Sequence, residues 1–227
     1  QITGGGSLGG NISLGSATLT WGDATPQSFG GSITGVSGGI VKQGSGILTL
    51  SGTGSTYSGS TQINTGTIRS GGANSLSSNS TFIVGSGATL DLNNFSNTIG
   101  NVSGAGNVTL GSATLTFGGN NGSGTLSGAL SAANGGLVKN GSGTATLSGS
   151  NSITGTSTLQ VNGGTLVLSG TNTYSGATQV TGATLRAGSA NGLSPNSVIT
   201  LGASSALDLN SLSLTVPNIT GSGTVSL

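Results

Sequence analysis

The sequence repeats itself on two length scales. Residues 57–110 align without a gap to 174–227, an offset of 117, and about half of the positions are identical. The phrase GGIVKQGSG (Gly38–Gly46) returns as GGLVKNGSG (Gly135–Gly143), an offset of only 97. The second copy therefore holds an insertion that the first lacks, close to SNSITGTSTLQVNGGTLVLSG (150–170). A clean insertion of this size makes a length of about 20 residues the elementary unit. Short apolar phrases keep that beat, ending at Leu50, Ile68, Leu90 and Leu110, then at Leu147, Leu166, Leu185, Leu207 and Leu227.

Within each unit, apolar and polar residues alternate over four or five positions, as in ILTLS, TLDLN and TLVLS, and a Gly/Ser/Asn turn follows. Period-2 alternation with β-branched residues predicts strands. Glycine and asparagine between them supply corners with positive φ. No stretch has helical periodicity. A unit this short cannot bury its own apolar face, but stacked on its neighbours it can. The expected fold is all-β: a β-solenoid of about 20 residues per coil and roughly eleven coils. At ~4.8 Å per coil the rod would be on the order of 50 Å long. Composition raises one competing reading. Glycine fills 47 of 227 positions and charged residues only 3%, a balance that favours disorder. A disordered tract would not hold its apolar spacing through two copies.

The same composition excludes several functions. The chain has no Cys, His, Met or Glu, so disulfides and thiol chemistry are absent. A net charge of +1 offers no field for nucleic acid, and no apolar run approaches the ~18 residues of a membrane-spanning helix. The opening QITGGG has neither an initiator methionine nor a signal-like pattern, so the chain reads as a segment of a longer repetitive protein. It divides into two long repeats, about 14–110 and 111–227, the second with one extra coil, in a single solenoid over 1–227.

The few charges repeat as well. Lys42 matches Lys139, Arg69 matches Arg186, and Asp91 matches Asp208; Asp23 alone has no counterpart. Arg69 precedes Asp91 by the same interval as Arg186 precedes Asp208, little more than one unit, which would set each pair on adjacent coils. They read as a surface ion pair that pins the coil register, with a binding ladder as the alternative. General acid–base catalysis needs a histidine or paired carboxylates, and Asp23, Asp91 and Asp208 lie several coils from one another. GVSGG (Gly35–Gly39) fits a nucleophile elbow, but no histidine exists to activate Ser37. GGGSLG (Gly4–Gly9) fits a nucleotide-binding fingerprint without the strand and helix that it requires. The Asn-x-Ser sequons at Asn11 and Asn94 are inevitable in such a composition. Trp21 matches Phe117 and Tyr57 matches Tyr174; each pair reads as core filler or corner cap, with sugar stacking as the alternative. No catalytic, cofactor-binding or metal-binding residues are expected.

GGIVKQGSGILTLSG (Gly38–Gly52) with TYSGSTQINTGTI (Thr56–Ile68) resembles the passenger-associated repeat of bacterial autotransporters. So does GGLVKNGSGTATLSG (Gly135–Gly149) with NTYSGATQVTGATL (Asn172–Leu185). In the second copy Ala145 departs from the first apolar position of the LTL phrase, and the extra coil splits the motif. The resemblance implies a right-handed parallel β-helix, exported by type V secretion and displayed at a Gram-negative surface. It also implies a C-terminal outer-membrane barrel in the parent protein, of which this chain contains none. Its expected role is a non-enzymatic stalk or adhesin-type passenger segment. Self-association or a host-surface ligand supplies the partner. The alternatives are a filament subunit stacked head to tail, since the two ends resemble one another, and, remotely, an ice- or carbohydrate-binding helix.

Overall fold

A computed structural model describes residues 9–227 and contains strands, turns and no helix. Every strand pairing is parallel, which requires the chain to come round once before it pairs again. The alternation in the sequence becomes the burial pattern directly. In Ile47–Leu50 and Thr165–Leu168 alternate residues are buried and half-buried. The inward set forms one continuous core from Trp21 to Leu207.

Among the described residues the strands stack on three faces. The long face carries eleven strands, from Thr18–Trp21 to Thr224–Ser226. A second face carries seven, from Gln27–Phe29 to Ser152–Thr154. The third also carries seven, from Asn97–Thr98 to Ile219–Gly221. Below these, the third side holds the pair Ile12–Ser13 and Ile33–Thr34. Between the two parts of this side, residues 51–60 and 71–80 stack without forming strands; Thr56 N–H donates to Ile33 C=O at 2.9 Å.

Following the register from Thr18 to Thr224 on the long face takes ten steps, about 21 residues per turn. The eleven coils expected from the sequence are thus eleven rungs enclosing ten turns. Inside, side chains form columns. One runs Leu48, Ile68, Leu90, Val108 and Leu130 on the second face. Each of these is buried. At ~25 cal/mol per Å² of apolar surface, such columns supply the main stabilisation.

Non-integral repeats rotate the motif. At that turn length, offsets of 97 and 117 correspond to about 4.7 and 5.7 turns. Equivalent strands of the two long repeats therefore occupy different faces. Gly39–Lys42 lies on the long face, whereas Gly136–Lys139 lies on the third. Thr67–Ser70 lies on the second face, whereas its equivalent Thr184–Ala187 lies on the long one. The second repeat is the first turned by one face about the rod.

Candidate functional site

The two lysines point inward. Each is fully buried within an apolar column: Trp21, Lys42, Ile63 in one repeat, and Phe117, Lys139, Val161 in the other. The ammonium groups are satisfied by corner carbonyls. Lys42 Nζ donates to Gln43 O (2.8 Å), Gly44 O (2.7 Å) and, one coil on, Thr65 O (3.3 Å). Lys139 Nζ donates to Asn140 O (2.7 Å), Gly141 O (3.0 Å) and Gly163 O (3.2 Å). An ammonium has three donors, and three carbonyls use them all. The preceding coil must leave room for the stem. At Gly22 (φ +106°) and Gly118 (φ +88°) an added Cβ would collide with the next coil's backbone carbonyl, Gln43 O or Asn140 O. Burial pushes both ammonium groups down from the usual lysine range; at Lys42 the Asp23 carboxylate opposes this, and Lys139 has no such neighbour.

A second repeated device joins coils through hydroxyls. Tyr57 Oη lies 2.7 Å from Thr61 Oγ1, which lies 2.8 Å from Ser80 Oγ, which donates to Gly59 O at 2.7 Å. Because each hydroxyl has one hydrogen, Ser80's donation fixes the others: Thr61 donates to Ser80 and Tyr57 to Thr61. The relay recurs through Tyr174, Thr178, Ser197 and Gly176 O. Burial pushes both phenols up to about 12, the adjoining hydroxyls opposing. Trp21 is buried too, its Nε1 donating to Gln27 Oε1 at 2.7 Å and its ring packed edge-on against Phe29. With Phe117 equally buried, neither aromatic pair offers a stacking platform to a sugar, so the core-filling reading holds.

Arginine and aspartate do meet across adjacent coils. Arg69 Nε lies 2.8 Å from Asp91 Oδ2, and Arg186 Nε lies 3.2 Å from Asp208 Oδ2. They occupy the outward columns Thr49–Arg69–Asp91–Thr109 on the second face and Val167–Arg186–Asp208–Ser226 on the long face. Asp91 also accepts from Thr109 Oγ1 and from Asn93 N–H. Each carboxylate is thus used in holding the register. The outward column of the third face is uncharged: Thr98, Thr116, Val138, Gln160, Gln179, Thr200 and Thr220.

Ser37 has a φ of 65° and its N–H donates to Ser58 Oγ. The glycine fingerprint at Gly4–Gly9 falls almost wholly outside the described residues. Among the described residues no three Asp, Glu, His or Cys side chains come together in a group that could hold a metal ion. Surface depressions are lined largely by small hydroxyl residues: Ser16, Thr34, Thr56 and Ser58 in the first repeat, and Ser152, Thr154, Thr171 and Thr173 in the second. The buried asparagines escaped sequence reasoning. Asn151 Oδ1 accepts from Leu130 N–H while its Nδ2 donates to Leu147 O, and Asn172 does likewise for Ile153 and Gly192. Only their recurrence beside LSG phrases marked them.

Three segments match the passenger-associated-transport-repeat: residues 40–69, 137–167 and 160–187. The second and third overlap within the added coil, so the insertion is itself a partial duplication of the repeat. An autotransporter adhesin, BmaC, of Brucella suis is 50% identical over 70 residues, covering 30% of this chain and 2% of that adhesin. No solved structure matches. The buried lysines, both relay tyrosines and both ion-pair arginines fall within the matched segments, in both halves of the molecule, while Asp91 and Asp208 lie one coil beyond them. Over these segments the chain carries the passenger-associated transport repeat and is similar to autotransporter passenger sequence.

Proposed function

We propose that this chain is a non-enzymatic stalk and adhesin-type segment of a longer surface protein, displayed outside a Gram-negative cell after type V secretion. The observation that carries this reading is the coincidence of the repeat with the load-sharing parts of the coil. The motif's lysine, tyrosine and aliphatic positions all serve stacking, and its outward columns carry mainly Thr, Ser, Gln and paired charges. Such a surface is hydrophilic without net field, suited to contacts made through hydrogen bonds along a rod. The similarity to an adhesin from Brucella suis supports the adhesive half of the proposal. In this reading residues 1–227 form one solenoid of two long repeats, about 14–110 and 111–227, and act as a unit of a longer array.

Coil-on-coil folding also fits secretion. Each turn contacts only its neighbours, so folding can propagate as chain emerges from a membrane pore. Fluorescent beads coated with the purified chain and layered on cultured host cells test the adhesive role. Retention above that of albumin-coated beads is the expected result; equal retention overturns adhesion. In the same preparation, cooperative unfolding with a β-rich circular dichroism spectrum is expected of the stalk, and a featureless spectrum overturns that part.

A further inference from the structure

The chain contains five Asn-Gly steps, at Asn121, Asn134, Asn140, Asn162 and Asn191, and all lie in the second long repeat. Asn-Gly is the dipeptide most open to self-cleavage of its side-chain amide, because glycine places no side chain beside the attacking backbone nitrogen. That attack needs a free N–H. In three of the steps it is already engaged: Gly122 N donates to Asn120 Oδ1 (3.1 Å), Gly135 N to Ser157 Oγ (3.1 Å) and Gly192 N to Ser189 O (3.0 Å). The N–H groups of Gly141 and Gly163 donate to no backbone or side-chain acceptor among the described residues.

Asn140 has two further features. Its own backbone carbonyl accepts from Lys139 Nζ at 2.7 Å. That carbonyl belongs to the peptide unit whose nitrogen, Gly141 N, must lose its proton, so the ammonium stabilises the charge that develops there. Its side-chain Oδ1 accepts from Asn162 Nδ2 at 3.0 Å, which draws electrons from the amide carbon under attack. Asn162 has the free neighbour N–H but no ammonium on its own carbonyl; Lys139 reaches Gly163 O instead.

We propose that Asn140 is a site of spontaneous deamidation, activated in the folded chain by the buried Lys139. Gly141 N bonds to Asn140 Cγ, the Cγ–Nδ2 bond breaks, and ammonia leaves with the proton from Gly141 N. Water then opens the succinimide to aspartate or isoaspartate. The first repeat cannot follow: the equivalent corner is Gln43-Gly44, with Lys42 in the same place, and a glutamine would have to close a larger ring. The product sets a carboxylate beside the one lysine corner that lacks it, as Asp23 stands near Lys42. Each event removes one unit from a formal net charge of +1.

The purified full chain, aged in mildly alkaline buffer and mapped by peptide mass spectrometry, tests this. Asn140 should gain one mass unit several-fold faster than Asn121, Asn134 and Asn191, with Asn162 between. In denaturant the five rates should converge, because the ammonium and the engaged N–H groups are gone. Asn140→Gln, which copies the first repeat's corner, should abolish the leading event without changing the circular dichroism spectrum. The proposal is overturned if Asn140 does not lead in the folded chain, or if the order is the same folded and denatured.

Discussion

The two long repeats are half identical in sequence, yet each of their equivalent strands sits on a different face of the rod. Trp21, Lys42, Ile63, Val84 and Gly104 form a column on the long face. Phe117, Lys139, Val161, Val180, Leu201 and Gly221 form its counterpart on the third face, with the added coil supplying Val161. Even the last member is under the same constraint: a Cβ at Gly104 or Gly221 would collide with the preceding coil's carbonyl, Val84 O or Leu201 O. A stacking motif is thus indifferent to which face it occupies. What it requires is that the coil above and the coil below keep the same phase. Insertion of a whole coil is therefore neutral, and the copies need not be separated by a whole number of turns.

Phase is the way to break this equivalence, and it carries the largest expected effect. Removing residues 150–170, one full turn, should leave a cooperatively folded rod whose urea m-value falls by about one tenth, in proportion to surface exposed on unfolding. Removing only 157–163, a third of a turn, should abolish cooperative unfolding of the second repeat, since every later inward side chain leaves its column. Equal m-values for the two deletions would refute the role of phase.

Alkaline titration comes next. The Tyr57 and Tyr174 phenols ionise near 10 in the unfolded chain but are raised to about 12 in the fold. A raised folded pKa gives stability that is complete below pH 10 and lost as pH rises through about 12. Two units correspond to about 3 kcal/mol for each tyrosine. Absorbance of tyrosinate should therefore rise together with loss of the β signal, and Tyr57→Phe or Tyr174→Phe should each remove about half of the decline. Different shares for the two would show that the two faces are not equivalent environments.

The lysine corners test the same equivalence on a smaller scale. Lys42→Met or Lys139→Met keeps the stem and strips three carbonyls of their donor, at a cost of about 1–3 kcal/mol by denaturant unfolding. Similar losses at the two positions are expected despite Asp23 lying near only one of them. Smallest of all are the ion pairs. Their arginine side chains are 38% and 45% exposed, so Arg69→Met and Arg186→Met should each cost no more than ~1 kcal/mol, and less still in high salt. A larger loss at either would mean that the pair does more than hold register.

Much of this was legible in the sequence because the solenoid writes its geometry at short range. Alternation in ILTL and TLVL states which residues face inward, and spacing between Leu48, Ile68 and Leu90 states how long a turn is. The interval between Arg69 and Asp91 placed the pair one coil apart, where the structure finds it. The lysines were harder. A residue so polar reads as exposed, and nothing local says that Lys42 Nζ can collect carbonyls from its own corner and the next. Asn151 and Asn172 were hidden for the same reason, since their partners lie on neighbouring coils.

That the chain winds, how many residues make a turn, and which side of each strand is dry all follow from side-chain period and corner chemistry, and can be read from the residues alone. Which face each copy of the motif occupies, and hence which outward columns carry charge, emerges only when the coils are stacked. The repeat length and the turn length are set independently, and the angle between copies is the remainder of their division. That remainder accumulates over the whole stack and exists in no single coil.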